Sequence, residues 1–287
     1  MNTTVVLVRH GRSTANVAGV LAGRSEGVGL DDAGASQAAA LVDRFDGVRI
    51  AAVVSSPMQR CRETITPLAQ AHDLPVVLDD GLIEVDYGTW TGRPLAELGG
   101  EPLWKTVQQH PSAAVFPDGE ALAAMAARAV ASVRAQLATH RKGPDRDTEG
   151  DAADTVADDD PDGVIVLCSH GDVIKAILAD ALGSHLDLFQ RISVAPASIS
   201  VVRYTDHRTF VDRLGDTGTL RGLGAVPPAA AQRPNSSAAA DSTSDAVPGG
   251  DPGTDAPTTA VRPASVRTGA DRPLRSPPPA ATSLEVP

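Results

Sequence analysis

Short runs of β-branched residues recur along the chain, and the segments between them are patterned as helices. The runs are Thr4–Val8, Ala51–Ser55, Pro75–Leu78, Val164–Cys168 and Ile199–Val202. Short apolar runs of this kind are typical of buried strands. Strands that alternate with helices predict a mainly parallel sheet with helices on both faces. We therefore expect an α/β fold with three layers, a sheet between two layers of helices.

Four segments are predicted to be helical, namely Asp32–Phe45, Met58–His72, Gly119–His140 and Asp172–Leu182. The first opens with aspartate, a favourable N-cap, and the third is the longest. Pro67 lies inside the second segment and should kink or interrupt that helix, because proline has no N–H to donate.

Composition divides the chain into parts. From Gly224 to Pro287 it consists mainly of Ala, Pro, Ser, Thr, Gly and Asp, which predicts a disordered tail over 224–287. Residues 141–163 contain three Lys or Arg and nine Asp or Glu, so we expect a flexible acidic insertion there. Residues 1–223 are predicted to form one domain around that insertion.

Charge and cysteine content narrow the possible partners and location. The net charge is -11, and much of it lies on the acidic insertion, which argues against nucleic acid as a partner. The N-terminus lacks the basic segment of a signal peptide, and no apolar run approaches the ~20 residues that span a membrane. The two cysteines, Cys61 and Cys168, form no disulfide or metal-binding pattern. We expect a soluble, cytoplasmic protein without a membrane partner; the sequence does not determine its oligomeric state.

Two His-Gly pairs follow two of the predicted strands. They are Arg9-His10-Gly11 after the first strand and Ser169-His170-Gly171 after the fourth. In parallel sheets, ligands bind beyond the carboxyl ends of the strands. A helix that starts at Gly171 would also present N–H groups to an oxyanion. One strand-end histidine is commonly satisfied by backbone groups, but two such pairs indicate a site.

The second and third predicted strands are also followed by groups that suit phosphate chemistry. In SSPMQRCRET, residues 55–64, Arg60 lies at the start of a helix, and arginine donates two parallel hydrogen bonds to phosphate. Arg62 would serve equally well on spacing alone. In LIEVDYGTWTG, Glu84 could act as general acid and base, with Asp86 as the alternative.

Five segments in register resemble the histidine phosphatase superfamily, also called the phosphoglycerate-mutase-like family. They are RHG at 9–11 with Asn16, SSPMQRCRET at 55–64, EVDYGTWTG at 84–92, FPDGEAL at 116–122 and SHGDVIKAIL at 169–178. The resemblance covers nearly all of residues 3–205 apart from the acidic insertion. It implies a phosphoglycerate-mutase-like fold.

The resemblance also implies roles for the matching residues. His10 would be the nucleophile that becomes phosphohistidine, and Glu84 would protonate the leaving oxygen. The family pattern selects Arg60 over Arg62 and Glu84 over Asp86. The implied phosphate- and substrate-binding residues are Arg9, Arg60, His170, Gly11, Asn16, Gly171 and Gly23.

These residues could transfer a phosphoryl group without a metal. Arg9, Arg60 and a protonated His170 would supply the positive charge, so we expect no metal and no cofactor. The arginines should keep His10 neutral, as a nucleophile must be. By the same reasoning, the arginines should lower the pKa of Glu84. We therefore expect the phosphate of the bound substrate to raise that pKa again, so that Glu84 can act as an acid.

Several alternatives for the function remain. The sugar-acid mutases of this family carry extra basic residues between the third strand and the long helix, but residues 106–127 contain no Lys or Arg. FPDGEAL is closer to the PGGE-type string of the phosphatase branch. We therefore predict a phosphomonoester hydrolase acting on a small phosphorylated substrate, with a phosphomutase as runner-up. The alternative from another class is an idle module, a catalytically inactive protein that only binds phosphate esters. Against it, the chain has the expected residue at every reactive position of the family pattern.

Two arginines near the pocket have no settled role. Arg12 stands where many relatives have glutamate, and it either contacts an anionic group of the substrate or points to solvent. Arg24, in the loop AGRSEGVGL beside Gly23, has the same two possibilities.

Overall fold

The computed structural model describes residues 3–141 and 163–218. Its strands are β1 (Thr3–Arg9), β2 (Ile50–Ser55), β3 (Val76–Leu78), β4 (Val164–Ser169), β5 (Ile199–Tyr204) and β6 (Thr209–Asp216). Its α-helices are α1 (Thr14–Ala18), α2 (Asp32–Arg44), α3 (Gln59–Ala71), α4 (Leu95–Leu98), α5 (Pro102–Gln109), α6 (Leu122–Arg141) and α7 (Gly171–Ala181).

The six strands form one sheet in the order β3-β2-β4-β1-β5-β6. The first four strands in this order run parallel to one another, whereas β5 pairs antiparallel with both β1 and β6. The predicted α/β class with a mainly parallel sheet is therefore confirmed. Strand β6 was not predicted, because its residues TFVDRLGD lie at an edge and contain few apolar side chains.

Helices cover both faces of the sheet, so the predicted three layers are present. Side chains alternate between the faces along β1. Val5 and Leu7 belong to one apolar cluster, which they form with α6 and α7. Val6 and Val8 belong to a second cluster, which they form with α2 and α3. Burial of each large aliphatic side chain stabilises the folded state by roughly 1.5–3 kcal/mol. Because β1 buries such side chains on both faces, it is stable only in the centre of the sheet.

The structure differs from the predictions at strand β3 and at Pro67, where no break of the helix is found. Strand β3 is not buried, since Val77 and Leu78 are about half exposed at the sheet edge, where β2 is the neighbouring strand. Helix α3 is not interrupted by Pro67 and continues to Ala71. The proline removes a hydrogen bond to the carbonyl of Glu63, which lies on the exposed side where water can replace it.

Helix α6 begins at Leu122 and not at Gly119. The backbone before it forms a turn, in which the N–H of Phe116 donates to the carbonyl of Glu120. The N–H of Glu120 donates in turn to the carbonyl of Asp86. These bonds fasten the segment before α6 to the loop that follows β3.

The start of α2 presses against the loop that follows β1. A β-carbon at Gly34 would lie 2.0 Å from the carbonyl oxygen of Arg12, and one at Gly11 would lie 2.8 Å from the carbonyl oxygen of Gly34. Only glycine allows two backbones to approach this closely. This contact holds the residues on either side of Gly11 in place.

The predicted acidic insertion at 141–163 lies almost wholly outside the described residues, and the predicted tail at 224–287 lies wholly outside them. Both stay predictions, as does the domain boundary at residue 223. Within residues 3–141 and 163–218, no helix is long and apolar enough to cross a lipid bilayer.

Candidate active site

The two His-Gly pairs meet at the carboxyl ends of neighbouring strands. Strands β1 and β4 pair in register, with Arg9 opposite Ser169, and the N–H of His10 donates to the carbonyl of Ser169 at 2.9 Å. The imidazole rings of His10 and His170 lie edge to face with centroids 5.3 Å apart. Both side chains are buried. The sheet register therefore brings together two histidines that are far apart in the sequence.

The ring of His10 is held with one nitrogen free to react. Its Nδ1 lies 2.7 Å from the carbonyl oxygen of Gly11, which can only accept, so Nδ1 carries the proton and Nε2 keeps its lone pair. The N–H of Gly11 donates to Oγ1 of Thr64 at 2.8 Å, which fixes this carbonyl against α3. Burial, followed by the charges of Arg60 and Arg9, lowers the pKa of His10 well below its ordinary value. His10 is neutral, as predicted.

Arg60 and His170 are joined directly. Nη2 of Arg60 donates to the carbonyl of Gly23 at 2.9 Å and lies 3.1 Å from Nδ1 of His170. Because a guanidinium only donates, Nδ1 accepts, and Nε2–H of His170 donates to Oγ of Ser56 at 2.8 Å. Burial and the nearby arginines, Arg60 first, lower the pKa of His170 well below its ordinary value. His170 by itself is therefore neutral near pH 7, whereas we expected it to be protonated.

The positive charge of the pocket comes from buried arginines. Nη1 of Arg60 is buried and has no hydrogen-bond partner among the described residues. Nη1 of Arg9 donates to the carbonyl of Val194 at 2.7 Å, which fixes that guanidinium beside the site. Arg62 lies on the exposed side of α3, away from these groups. A buried donor without an acceptor costs roughly 1–3 kcal/mol, which an anionic ligand would recover.

Glu84 lies in the same cluster, and Asp86 does not. Oε2 of Glu84 is 3.8 Å from Nδ1 of His170, and the carboxyl group is buried. The side chain of Asp86 is 41% exposed and faces Arg24 at 3.5 Å.

The proton affinity of Glu84 differs from our expectation. Burial, followed by the negative charge of Asp172, raises the pKa of Glu84 from 4.5 to about 7, while Arg60 and Arg9 oppose this shift. We expected the arginines to dominate and lower the pKa. They do not, because removing the carboxylate from water outweighs their attraction. Glu84 is therefore substantially protonated near neutral pH before any substrate binds.

Two arginines hold the backbone of Glu84. Its carbonyl oxygen accepts from Nε of Arg24 at 2.9 Å and from Nη2 of Arg128 at 3.1 Å. Oε1 of Glu120 binds both guanidinium groups, at 3.0 and 2.6 Å. The sequence analysis missed Glu120 and Arg128. The sequence could have indicated both residues. Glu120 lies in the FPDGEAL string, and Arg128 is a lone charge within an alanine-rich stretch.

The remaining predicted residues make contacts within the protein or begin a helix. Arg12 does not point to solvent, because its Nη2 lies 2.6 Å from Oδ2 of Asp31. Oδ1 of Asn16 accepts from the N–H and the hydroxyl of Ser13 and caps α1. Gly171 is the first residue of α7, so its N–H belongs to the open end of that helix. Whether these groups contact a substrate stays a prediction.

Gly23 has a backbone conformation that glycine favours. Its φ is +50°, and a β-carbon there would lie 2.9 Å from Oγ1 of Thr91. A side chain at this position would strain the turn whose carbonyl receives Arg60.

A sequence model of the histidine phosphatase superfamily (branch 1) matches residues 5–144 and 150–217. The chain belongs to the histidine phosphatase superfamily. Among the described residues, no group of three His, Cys, Asp or Glu side chains is arranged to hold a metal ion.

Relatives in this superfamily include proteins of several lengths. The bifunctional protein Rv2228c of Mycobacterium tuberculosis is 31% identical over 223 residues, which are 76% of this chain and 55% of that protein. The chain thus spans about half the length of the first curated relatives it matches. Phosphoserine phosphatase 1 of Hydrogenobacter thermophilus is 27% identical over 216 residues, 74% of this chain and 92% of that one.

The solved structure of the mycobacterial glucosyl-3-phosphoglycerate phosphatase Rv2419c has the same fold. It superposes with a TM-score of 0.63 at 23% identity, covering 75% of this chain and 99% of that one. The fold of the histidine phosphatase superfamily is therefore present over the described residues.

The raised pKa of Glu84 should make the protein less stable as pH rises. The folded protein retains this proton up to about pH 7, whereas the unfolded chain loses it near 4.5, so folding stability falls as pH rises through this window. Glu84→Gln should remove this loss and stabilise the protein by about 3 kcal/mol above pH 7.

Urea unfolding of the full chain at pH 5 and pH 8 measures this difference. The exposed Glu97→Gln on α4 is the matched control and should show no comparable gain. A Glu84→Gln protein no more stable at pH 8 than the wild type would contradict the raised pKa.

Proposed function

We propose that this chain is a phosphatase that moves a phosphoryl group from a small phosphate monoester to His10 and then to water. The observation that supports this most is the arrangement of one imidazole. Its Nδ1 is hydrogen-bonded to the carbonyl of Gly11, and its unprotonated Nε2 belongs to a buried ring that packs against the ring of His170, which Arg60 contacts. Membership of the histidine phosphatase superfamily supports the same chemistry.

In the first step, the lone pair of His10 Nε2 attacks phosphorus and the bond from phosphorus to the ester oxygen breaks. Glu84 gives its proton to that leaving oxygen and becomes a carboxylate. Because Glu84 carries its proton near neutral pH, the free enzyme is ready for this step. The alcohol then leaves.

In the second step, a water molecule attacks the phosphohistidine. The carboxylate of Glu84 takes a proton from that water, and the phosphorus–nitrogen bond breaks with its electron pair returning to Nε2. Inorganic phosphate leaves, and both residues return to their starting forms. One carboxyl group thus acts first as acid and then as base.

We propose that the phosphate oxygens are held by Arg9, Arg60 and His170. Nη1 of Arg60 is a buried donor in need of an acceptor, which supports this assignment. A bound dianion would favour the protonated form of His170, so the cationic cradle that we predicted would form with the substrate. The N–H of Gly171 and the side chain of Asn16 would add further hydrogen bonds, and Gly11 and Gly23 would shape the pocket.

The type of substrate follows from the cradle and the relatives. Relatives act by name on phosphoserine and on glucosyl-3-phosphoglycerate, both small organic phosphates. The absence of Lys and Arg from residues 106–127 favours hydrolysis over mutase transfer. We propose a small phosphorylated metabolite as the substrate and the cytoplasm as the location; both cysteines are free thiols, as in a reducing compartment.

A panel of phosphate monoesters tests this function. We expect the full chain to release inorganic phosphate from at least one monoester with excess chelator present, and rapid acid-free quenching to trap phosphohistidine on the enzyme. In water labelled with ¹⁸O, the released phosphate should gain one labelled oxygen. With 3-phosphoglycerate, conversion to 2-phosphoglycerate would support the mutase instead, and binding without turnover would support the idle module.

A further inference from the structure

One buried carboxylate joins helix α7 to the loop that carries Glu84. Asp172 lies two residues after His170, in the first turn of α7, and is fully buried. Its Oδ2 accepts a hydrogen bond of 2.8 Å from the hydroxyl of Tyr87, three residues after Glu84. Neither of the two transfer steps uses Asp172 directly.

Asp172 has further polar contacts besides Tyr87. Nζ of Lys175 lies 3.5 Å from Oδ1, and this ammonium group also donates to Oε1 of Gln190 at 3.0 Å. The open N-terminus of a helix favours negative charge in its first turn. A hydrogen-bond donor, a cation and a helix end together offset the cost of burying a carboxylate.

The charges that surround Glu84 act in opposite directions. Arg60 from α3 and Arg9 from β1 favour its carboxylate form. Arg24 and Arg128 bind its carbonyl oxygen and add positive charge on that side. The opposing negative charge comes from Asp172 in α7.

The other titratable groups near Glu84 are two histidines, a lysine and a tyrosine. His10 and His170 are neutral, because burial and the arginines lower the pKa of each. Lys175 is the cation paired with Asp172, and Tyr87 remains neutral because burial raises the pKa of its hydroxyl. Asp172 thus supplies the negative charge that, together with burial, opposes the arginines.

We propose that Asp172 is a positioning residue for the phosphatase reaction: its buried negative charge holds Glu84 in the protonated form that the first transfer needs. The hydrogen bond from Tyr87 keeps the Glu84 loop against this charge. The inference rests on the proposed role of Glu84 as general acid. Without Asp172, burial alone would oppose the arginines, and the pKa of Glu84 would fall.

The direct test is a titration of the Glu84 carboxyl carbon by ¹³C NMR in the full chain without substrate, with the resonance assigned by its loss in Glu84→Gln. In Asp172→Asn, we expect the midpoint to fall by about 1 pH unit or more. An unchanged midpoint would overturn the proposal. Because this titration needs no turnover, it remains informative if the proposed phosphatase activity is not found.

The kinetic test distinguishes an electrostatic effect of Asp172 on Glu84 from a general structural effect of the substitution. In Asp172→Asn, the alkaline limb of kcat/KM should move to lower pH by the same amount as the NMR midpoint. The loss at pH 8 should be at least about tenfold larger for an alkyl phosphate than for 4-nitrophenyl phosphate, whose leaving group needs little protonation. Equal losses for both substrates at every pH would indicate a structural role and overturn the proposal.

Two further variants complete the design. Asp180→Asn removes a partly exposed carboxylate from the same helix and should leave the midpoint and the pH profile unchanged. Tyr87→Phe keeps the buried ring and removes the hydrogen bond to Asp172, so the midpoint should fall by a smaller amount. If Asp172→Asn does not fold, the Tyr87→Phe titration decides in its place, with an unchanged midpoint again counting against the proposal.

Discussion

Replacement of His10 with asparagine is expected to lower kcat by about 10⁴-fold or more, because it removes the nitrogen that accepts phosphorus. The amide of asparagine can still donate to the carbonyl of Gly11, so the loop after β1 keeps its main hydrogen bond. Steady-state release of phosphate from the best substrate of the panel measures the effect. The trapped phosphohistidine should disappear in the same protein.

The control for this variant is His207→Asn, which changes an exposed histidine in the turn between β5 and β6. We expect its activity to stay within about twofold of the wild type, since surface changes of this kind have little effect. Urea unfolding of both proteins shows whether each is folded. A folded His10→Asn protein that retains full turnover would exclude the phosphohistidine pathway.

Replacement of Arg60 with lysine is expected to lower kcat/KM by about 10²–10³-fold. Lysine keeps the charge but lacks the planar fork that donates in two directions at once. In the wild type, Nη2 of Arg60 is occupied by the carbonyl of Gly23 and by His170, and Nη1 remains for phosphate. A single ammonium group cannot make all of these bonds. Inhibition by inorganic phosphate should weaken in parallel.

Arg62→Lys on the same helix is the matched control, because Arg62 is exposed and only two residues away. Its kcat/KM and phosphate inhibition should be close to those of the wild type. Equal losses in the two variants would mean that the guanidinium of Arg60 has no special role in the pocket.

The sequence predicted the position of the proposed nucleophile because that information is local. A β-branched run followed by His-Gly occurs at residue 10 and again at residue 170, and a parallel sheet places strand ends together. The same pattern placed Arg60 at the beginning of α3. Spacing alone could not separate Arg60 from Arg62; the family resemblance did, and burial agrees with it.

Local patterns were less informative at the edges of the sheet. Val77 and Leu78 have the composition of a buried strand, yet they are half exposed because β3 lies at the end of the strand order. Strand β6 occupies the opposite edge and went unpredicted, since an edge strand needs few apolar residues. Strand order results from contacts between distant segments, which periodicity does not contain.

The sequence by itself determined the α/β class, the two histidines, the candidate arginines and the candidate acid. Only the tertiary structure decided that the pKa of Glu84 is raised and that Glu120 and Arg128 hold its backbone. It also brought Asp172 close enough for its charge to act on Glu84. The physical reason is that a residue's identity and spacing are encoded locally, whereas a pKa depends on burial and on charges that the fold gathers from several elements.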